Sequence, residues 1–369
     1  MKIKGYEKAI ILHLGALYDA ANEGNEKVKP LHRLILNLPN VDEEAVTAFA
    51  KGAFSDALEK HEVSDPPEAS YKTMGFAAYG EEVESKFALA IPGTNAIVFQ
   101  IEKRERVLPG VSVRNEVVKR MAALREKEID GWEPNRKDWA QMKDDVEAEM
   151  LKHAPIRPSR VNVILSAPFV YVFTSSAKTA EECSALIRTA LGTWPVEHLL
   201  PSEYELRQLM QRAVLGQQDG IKGDAFIHLK HDDGDDVKMK DTDIFKDESV
   251  IDLLSRHWTV RALDLEVNTQ CPGIDTVYFR LSDKAILSGI HIGEADVDAN
   301  YDATLERYGT DGGQFLTMMA NLFQLDKSLR AVISVLDEAG QVVEYTGTLD
   351  DSEQLDQTGP QVFEDDDEV

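Results

Sequence analysis

A chain of 369 residues with 43% hydrophobic and 29% charged residues holds enough apolar material for two or three cores under a well-solvated surface. Its formal charge of -26 excludes a generally basic exterior, so any contact with nucleic acid requires cations gathered on one side and acids elsewhere. No run approaches the roughly 20 apolar residues that span a bilayer, the opening apolar stretch is broken by His13, and Cys183 and Cys271 lack Cys-x-x-Cys spacing; the expectation is a cytoplasmic protein in a reducing compartment.

The opening "YEKAIILHLGAL" predicts a buried strand, and "ANEGNEKVKPLHRLILNLPN" a loop followed by a short apolar element. A helix is expected over 42–59, capped by Asp42, with Val46, Phe49, Ala50, Ala53, Phe54 and Leu58 on one face. Pro66 and Pro67 break regular structure. "KFALAI" and "AIVFQIEKRERVL", joined by the turn "PGTN", read as a hairpin. Two helices follow, over 112–128 with Val113, Val117, Met121 and Leu124 inward, and over 137–152 with Trp139, Met142, Val146 and Met150 in register. The break at 131–134 between them makes a helical arm that leaves and rejoins a sheet.

"RVNVILSAPFVYVFTS" carries the strongest strand signal; a helix over 177–191 and the short strand "PVEHL" come next. "SEYELRQLMQRAV" and "DESVIDLLSRH" read as helices, and "DAFIHLK" and "VKMK" as strands around the acidic turn "HDDGDD". "TVRALDLEVN", "DTVYFRLS" and "AILSGIHI" read as further strands before the helix "GGQFLTMMANLFQLDKSL". The expected fold class is α+β, with antiparallel sheets, packed helices and a projecting helical arm. The expected division is a core over 1–110 and 155–200, the arm over 111–154, a second α+β domain over 201–330, an extra hairpin over 331–349 and a disordered acidic tail over 350–369.

Catalytic signatures are missing from the sequence. There is no G-x-x-x-x-G-K-[ST], no G-x-G-x-x-G after a strand, no G-x-S-x-G, and no His pair spaced for zinc. "HDDGDD" does not fit the spacing of a calcium loop. No cofactor or metal is therefore expected. Positive charge is scarcer and more telling: Lys103, Arg104 and Arg106 end one strand, Arg136 and Lys137 mark the arm bend, and Arg157 and Arg160 flank Pro158 where the arm returns. Lys230, Lys238 and Lys240 surround the acidic turn, and Arg256 and Arg261 bracket Trp258. Any one of these alone is a solvated side chain or surface ion pair; their recurrence at element ends suits phosphate contacts that do not read bases.

The order of "SYKTMGFAAYG", "KRERVLPG", the charged arm, "HAPIRPSR", "VNVILSAPFVYVFT" and "AKTAEECSALIRTALGTWPVEHL" resembles the bacterial recombination-associated RdgC family. Its most specific pieces are Met74, Gly75 and Phe76; Val107, Leu108 and Pro109; Pro155, Ser159 and Arg160; and the helix end at 187–192. The resemblance implies a ring-shaped homodimer that threads double-stranded DNA and restrains a RecA-type recombinase, associated with the nucleoid and without enzymatic activity. It implies DNA-facing roles for Arg136, Lys137, Arg157, Arg160, Lys230 and Arg261. Two departures are visible: Pro158 stands where the family has an aromatic residue, and His231, Asp232 and Asp233 stand where it has a basic-polar stretch. Two other classes stay open on the residues themselves, an acidic interaction protein that mimics DNA and an exonuclease built on carboxylates.

Overall fold

The computed structural model describes residues 3–80, 86–127, 133–241, 243–293 and 314–349. Its strands are β1 (Lys8–His13), β2 (Lys72–Ala77), β3 (Ala88–Ala90), β4 (Ile97–Arg106), β5 (Ile156–Ser166) and β6 (Phe169–Val172). They continue as β7 (Glu197–His198), β8 (Ile221–Lys230), β9 (Asp236–Lys240), β10 (Thr259–Cys271), β11 (Ile274–Ser282) and β12 (Ile286–Ile292). The α-helices are α1 (Gly15–Asn22), α2 (Pro30–Leu36), α3 (Glu43–Phe49), α4 (Ser55–Glu59), α5 (Gly110–Lys127) and α6 (Arg136–His153). After them come α7 (Ala177–Leu191), α8 (Glu203–Leu215), α9 (Glu248–Ser255) and α10 (Gln314–Glu338).

The strands form one sheet in the order β2-β4-β5-β6-β1-β12-β11-β10-β8-β9, with β3 also on β4 and β7 on β1. All of its ladders are antiparallel. This is the expected α+β class, with a single large sheet linking the two segments on either side of residue 200.

Alternation along the strands sorts apolar side chains into two cores, one on each face. On β4, Val98 enters the first core while Ile97, Phe99 and Ile101 enter the second. On β5, Ile164 faces the first while Val163 and Leu165 face the second. The first core runs across β8 and β10–β12 under α8 and α10; the second is closed by α1, α2, α3, α4 and α7. Gly75 belongs to this construction: a Cβ there would lie 2.5 Å from the Val63 backbone, so only glycine lets the 61–63 segment cross β2.

Burial on both faces explains one correction. The run at 160–175 is two strands, β5 and β6, which reverse at Ala167 and Pro168. Residues 163–166 and 169–172 are buried throughout, so no polar alternation marks the reversal. A second correction concerns 331–349, expected as a hairpin. Residues 331–338 continue α10, because Leu325, Leu329, Val332, Ile333 and Leu336 keep helical spacing into the first core. Beyond it, 341–349 is an irregular strap. Val343 donates its N–H to the Leu199 carbonyl (3.0 Å), and Tyr345 packs against His13 and Phe169.

At the other end of the chain, the expected strand gives way at residues 15–17 to α1, and the short apolar element expected after the loop is α2. The 42–59 helix forms as expected, with Asp42 accepting from the Ala45 N–H (2.8 Å), but a π-helical turn at Ala50–Phe54 interrupts it at Gly52. The interruption expected at 131–134, the start of the helix at 312 and the acidic tail over 350–369 fall wholly or partly outside the described residues.

Candidate nucleic-acid interface

Helices α5 and α6 pack as a hairpin with their own small core of Val113, Val117, Met121 and Val146. Leu124 and Trp139, expected inside it, are exposed instead. The helical phase is right, but the hairpin is too thin to cover both. Asn135 caps α6 by accepting the Lys137 and Asp138 N–H groups, while Asp138 accepts the Asn135 N–H in return. That cap puts Arg136 and Lys137 on the first turn of α6 at the arm bend, where both are exposed.

At the base of the arm the expected exit loop is a strand. Residues 156–160 belong to β5 and pair with β4, Arg157 opposite Glu105 and Arg160 opposite Glu102. Three residues apart on a strand, Arg157 and Arg160 point to opposite faces of the sheet. Arg157 is exposed on the face of the second core. Arg160 donates its Nε–H to Glu102 Oε2 (2.8 Å), and Arg104 donates its own to Glu102 Oε1 (2.8 Å). Arg104 also reaches Asp65 Oδ1 with Nη1 (2.8 Å). Burial alone would raise the Glu102 carboxyl, but the two arginines outweigh it and hold it below the usual carboxylate range. Glu102 is 4% exposed. Its pairing with Arg160 follows from the β4–β5 register.

Arg106 does different work. Its Nη1 donates to the carbonyls of Leu151 (3.2 Å), Lys152 (3.2 Å) and Ala154 (3.4 Å), and its Nη2 to that of Pro66 (2.9 Å). It thus caps the C-terminus of α6, where cations are favoured, and ties the arm to the sheet.

Over β8–β12, alternate residues enter the first core and the rest make a half-exposed polar face. Lys222, His228 and Lys230 line β8 there, with Lys238 and Lys240 across from His228 and Phe226 on β9. Asp236 takes both His228 Nε2 (3.3 Å) and Lys238 Nζ (3.4 Å). Arg280 pairs with Asp264 through two bonds (2.6 and 3.0 Å) over the Phe226 ring. Arg261, also expected to face DNA, turns instead toward α8. Its Nη1 contacts Glu203 and Asp283, both at 2.8 Å, and Arg207 joins the same two carboxylates.

The six expected residues therefore separate. Arg261 is held in an ion-pair network and Arg160 is anchored to a buried carboxylate, whereas Arg136, Lys137, Arg157 and Lys230 make no ion pair among the described residues. Also among those residues, no three of His, Cys, Asp or Glu stand where they could hold a metal ion, and no helix is long and apolar enough to cross a membrane.

Comparison with known proteins adds a lineage to this geometry. The family model described as "Putative exonuclease, RdgC" matches residues 43–336. A recombination-associated protein RdgC from Shewanella frigidimarina (strain NCIMB 400) is 26% identical over 166 residues, 44% of this chain and 54% of that protein. The protein of the same name from Shewanella sp. (strain ANA-3) is 26% identical over 197 residues, covering 49% and 64%. Its counterpart in Xanthomonas campestris pv. campestris (strain B100) is 29% identical over 153 residues, covering 36% and 49%. The chain thus spans about half to just under two thirds of the length of these relatives. Because the family match runs through α3, the arm, the sheet and nearly all of α10, well over half of the chain, this protein belongs to the RdgC family.

Proposed function

We propose that the protein is a non-enzymatic, sequence-independent binder of double-stranded DNA that modulates homologous recombination. In this reading it works as a ring-shaped homodimer that denies a RecA-type recombinase access to the duplex. The relatives are named for recombination. The observation that carries the reading is that, in a chain of net charge -26, four exposed cations at the arm bend, the arm base and the polar face of β8 make no ion pair among the described residues. Cations so placed contact phosphates without reading bases.

A salt titration tests it. Four phosphate contacts per subunit, eight per homodimer, give a slope of about -7 in log affinity against log salt, or a loss on the order of ten-thousandfold between 50 and 200 mM. Arg157→Glu with Lys230→Glu should flatten that slope; no duplex binding by the wild type at 50 mM overturns the reading. Residues 350–369 contain nine acidic residues and no Lys or Arg. Deleting them should tighten binding by about threefold to tenfold at low salt, since like charge near a phosphate site is repulsive; weaker binding refutes autoinhibition by this segment.

The family description favours a second reading, an exonuclease. Magnesium-dependent shortening of end-labelled duplex, abolished by EDTA, would establish it, and intact DNA after prolonged incubation would dismiss it.

A further inference from the structure

Arg160 is an exposed cation in a strongly acidic protein, yet its Nε is anchored to a buried carboxylate. Register sets the arrangement. Glu102 and Arg160 face each other across β4 and β5, and Arg104 lies two residues along β4 on the same side. Each Glu102 oxygen receives one arginine Nε–H at 2.8 Å. The Glu102 side chain is only 5% exposed, while that of Arg160 is 56% exposed. Arg104 spends Nη1 on Asp65, so the row Asp65, Arg104, Glu102, Arg160 alternates in sign and ends on the outermost cation.

We infer that Glu102 is a positioning residue for nucleic-acid binding: by taking the Nε–H of Arg160, it aims the Nη edge of that guanidinium outward as a preformed fork for a backbone phosphodiester. The inference rests on the DNA-binding reading and adds to its four cations a fifth contact, Arg160, on the other face of the sheet. A guanidinium held by Nε keeps both Nη groups for a bidentate phosphate contact, which an ammonium cannot copy. Holding the side chain in place beforehand removes the rotamer freedom that would otherwise be lost on binding. The carboxylate cannot serve phosphate directly, since it is negative and buried; it acts only through the arginine.

Simple electrostatics and positioning predict opposite outcomes, which makes the test sharp. The full chain and its variants are titrated by fluorescence anisotropy with a 20-base-pair duplex of arbitrary sequence at 100 mM salt, each variant first checked for cooperative unfolding. Arg160→Lys keeps the charge but loses the Nε anchor and the fork, so affinity should fall by about fivefold, close to Arg160→Ala. Glu102→Gln removes a negative charge, which alone would tighten binding, yet affinity should fall by about threefold because the anchor for Arg160 is weakened. If Glu102→Gln does not fold, Arg160→Lys decides the matter, since Arg160 is largely exposed and its replacement leaves the cores untouched. Wild-type binding with Arg160→Lys within twofold of it, or folded Glu102→Gln binding as tightly or tighter, overturns the positioning role alone. A wild type with no affinity for duplex overturns both this role and the DNA-binding reading.

Discussion

Replacing Arg330 with alanine is expected to cost about 3 to 5 kcal/mol of stability, because it leaves a buried carboxylate without its cation. Asp326 is 2% exposed and sits 3.4 Å from Arg330 across one turn of α10. Ser166 donates its hydroxyl to Asp326 and accepts from Arg330 Nε (2.9 Å), and Arg330 also donates to the Ala167 carbonyl (3.1 Å). Burial already pushes the Asp326 carboxyl up against the pull of Arg330 and Ser166. Without the guanidinium, the Ala167 carbonyl and one carboxylate oxygen lose donors where water does not reach. Urea unfolding followed by tryptophan fluorescence should show the loss. Arg330→Met combined with Asp326→Leu should recover most of it, since no charge is then buried. A loss below about 1 kcal/mol for the alanine variant would mean that this knot does not hold α10 to the β5–β6 turn.

Acid should weaken the fold before its carboxylates titrate. His13 and His32 are both buried and both accept a backbone N–H at Nδ1, from Gly15 (3.1 Å) and Lys29 (2.9 Å), at the entrances to α1 and α2. Those bonds require a neutral ring protonated on Nε2, which for His32 meets the Thr193 carbonyl at 3.0 Å. Burial lowers both imidazoles from their ordinary value, against opposing pulls from Glu197 and Asp19 at His13 and from the Thr193 hydrogen bond at His32. The unfolded chain therefore binds these protons more readily than the folded one. Their contribution is complete above the unfolded value of about 6.5 and is lost as pH falls through that value toward the lower folded one. Stability should fall as pH drops from 7.5 to 5.5, by no more than about 1.4 kcal/mol for each histidine, with His32→Gln flattening the profile. Stability unchanged over that interval would rule the pair out as the acid-sensitive point.

Much of this architecture is legible in the chain because period and capping agree locally. The arm helices, their inward Val113, Val117 and Val146, and the alternating strands β10 to β12 follow from spacing alone. What sequence reading misses has a common cause, namely burial on both faces. The β5–β6 reversal at Ser166, Ala167 and Pro168 lies inside an otherwise apolar buried stretch, and residues 331–338 read as a strand because Val and Ile satisfy either period until α10 is seen to continue. The candidate site was legible as a list of cations but not as an arrangement. That Arg157 and Arg160 part to opposite faces, that Arg106 caps α6, and that Arg261 joins Glu203 and Asp283 all depend on pairings between distant segments.

The unbroken ladder also acts as a ruler. Six inter-strand steps separate β5 from β8, and the registers offset Arg157 and Lys230 by roughly eight residues along the strands, so at about 4.8 Å per step and about 3.3 Å per residue they lie roughly 39 Å apart along a surface they share. A nucleic-acid strand rising about 3.4 Å per nucleotide passes about eleven phosphates over that span. In the DNA-binding reading, a fragment much shorter than one helical turn can engage only one of the two stations. A longer one engages both, and the minimum footprint is written into the strand order.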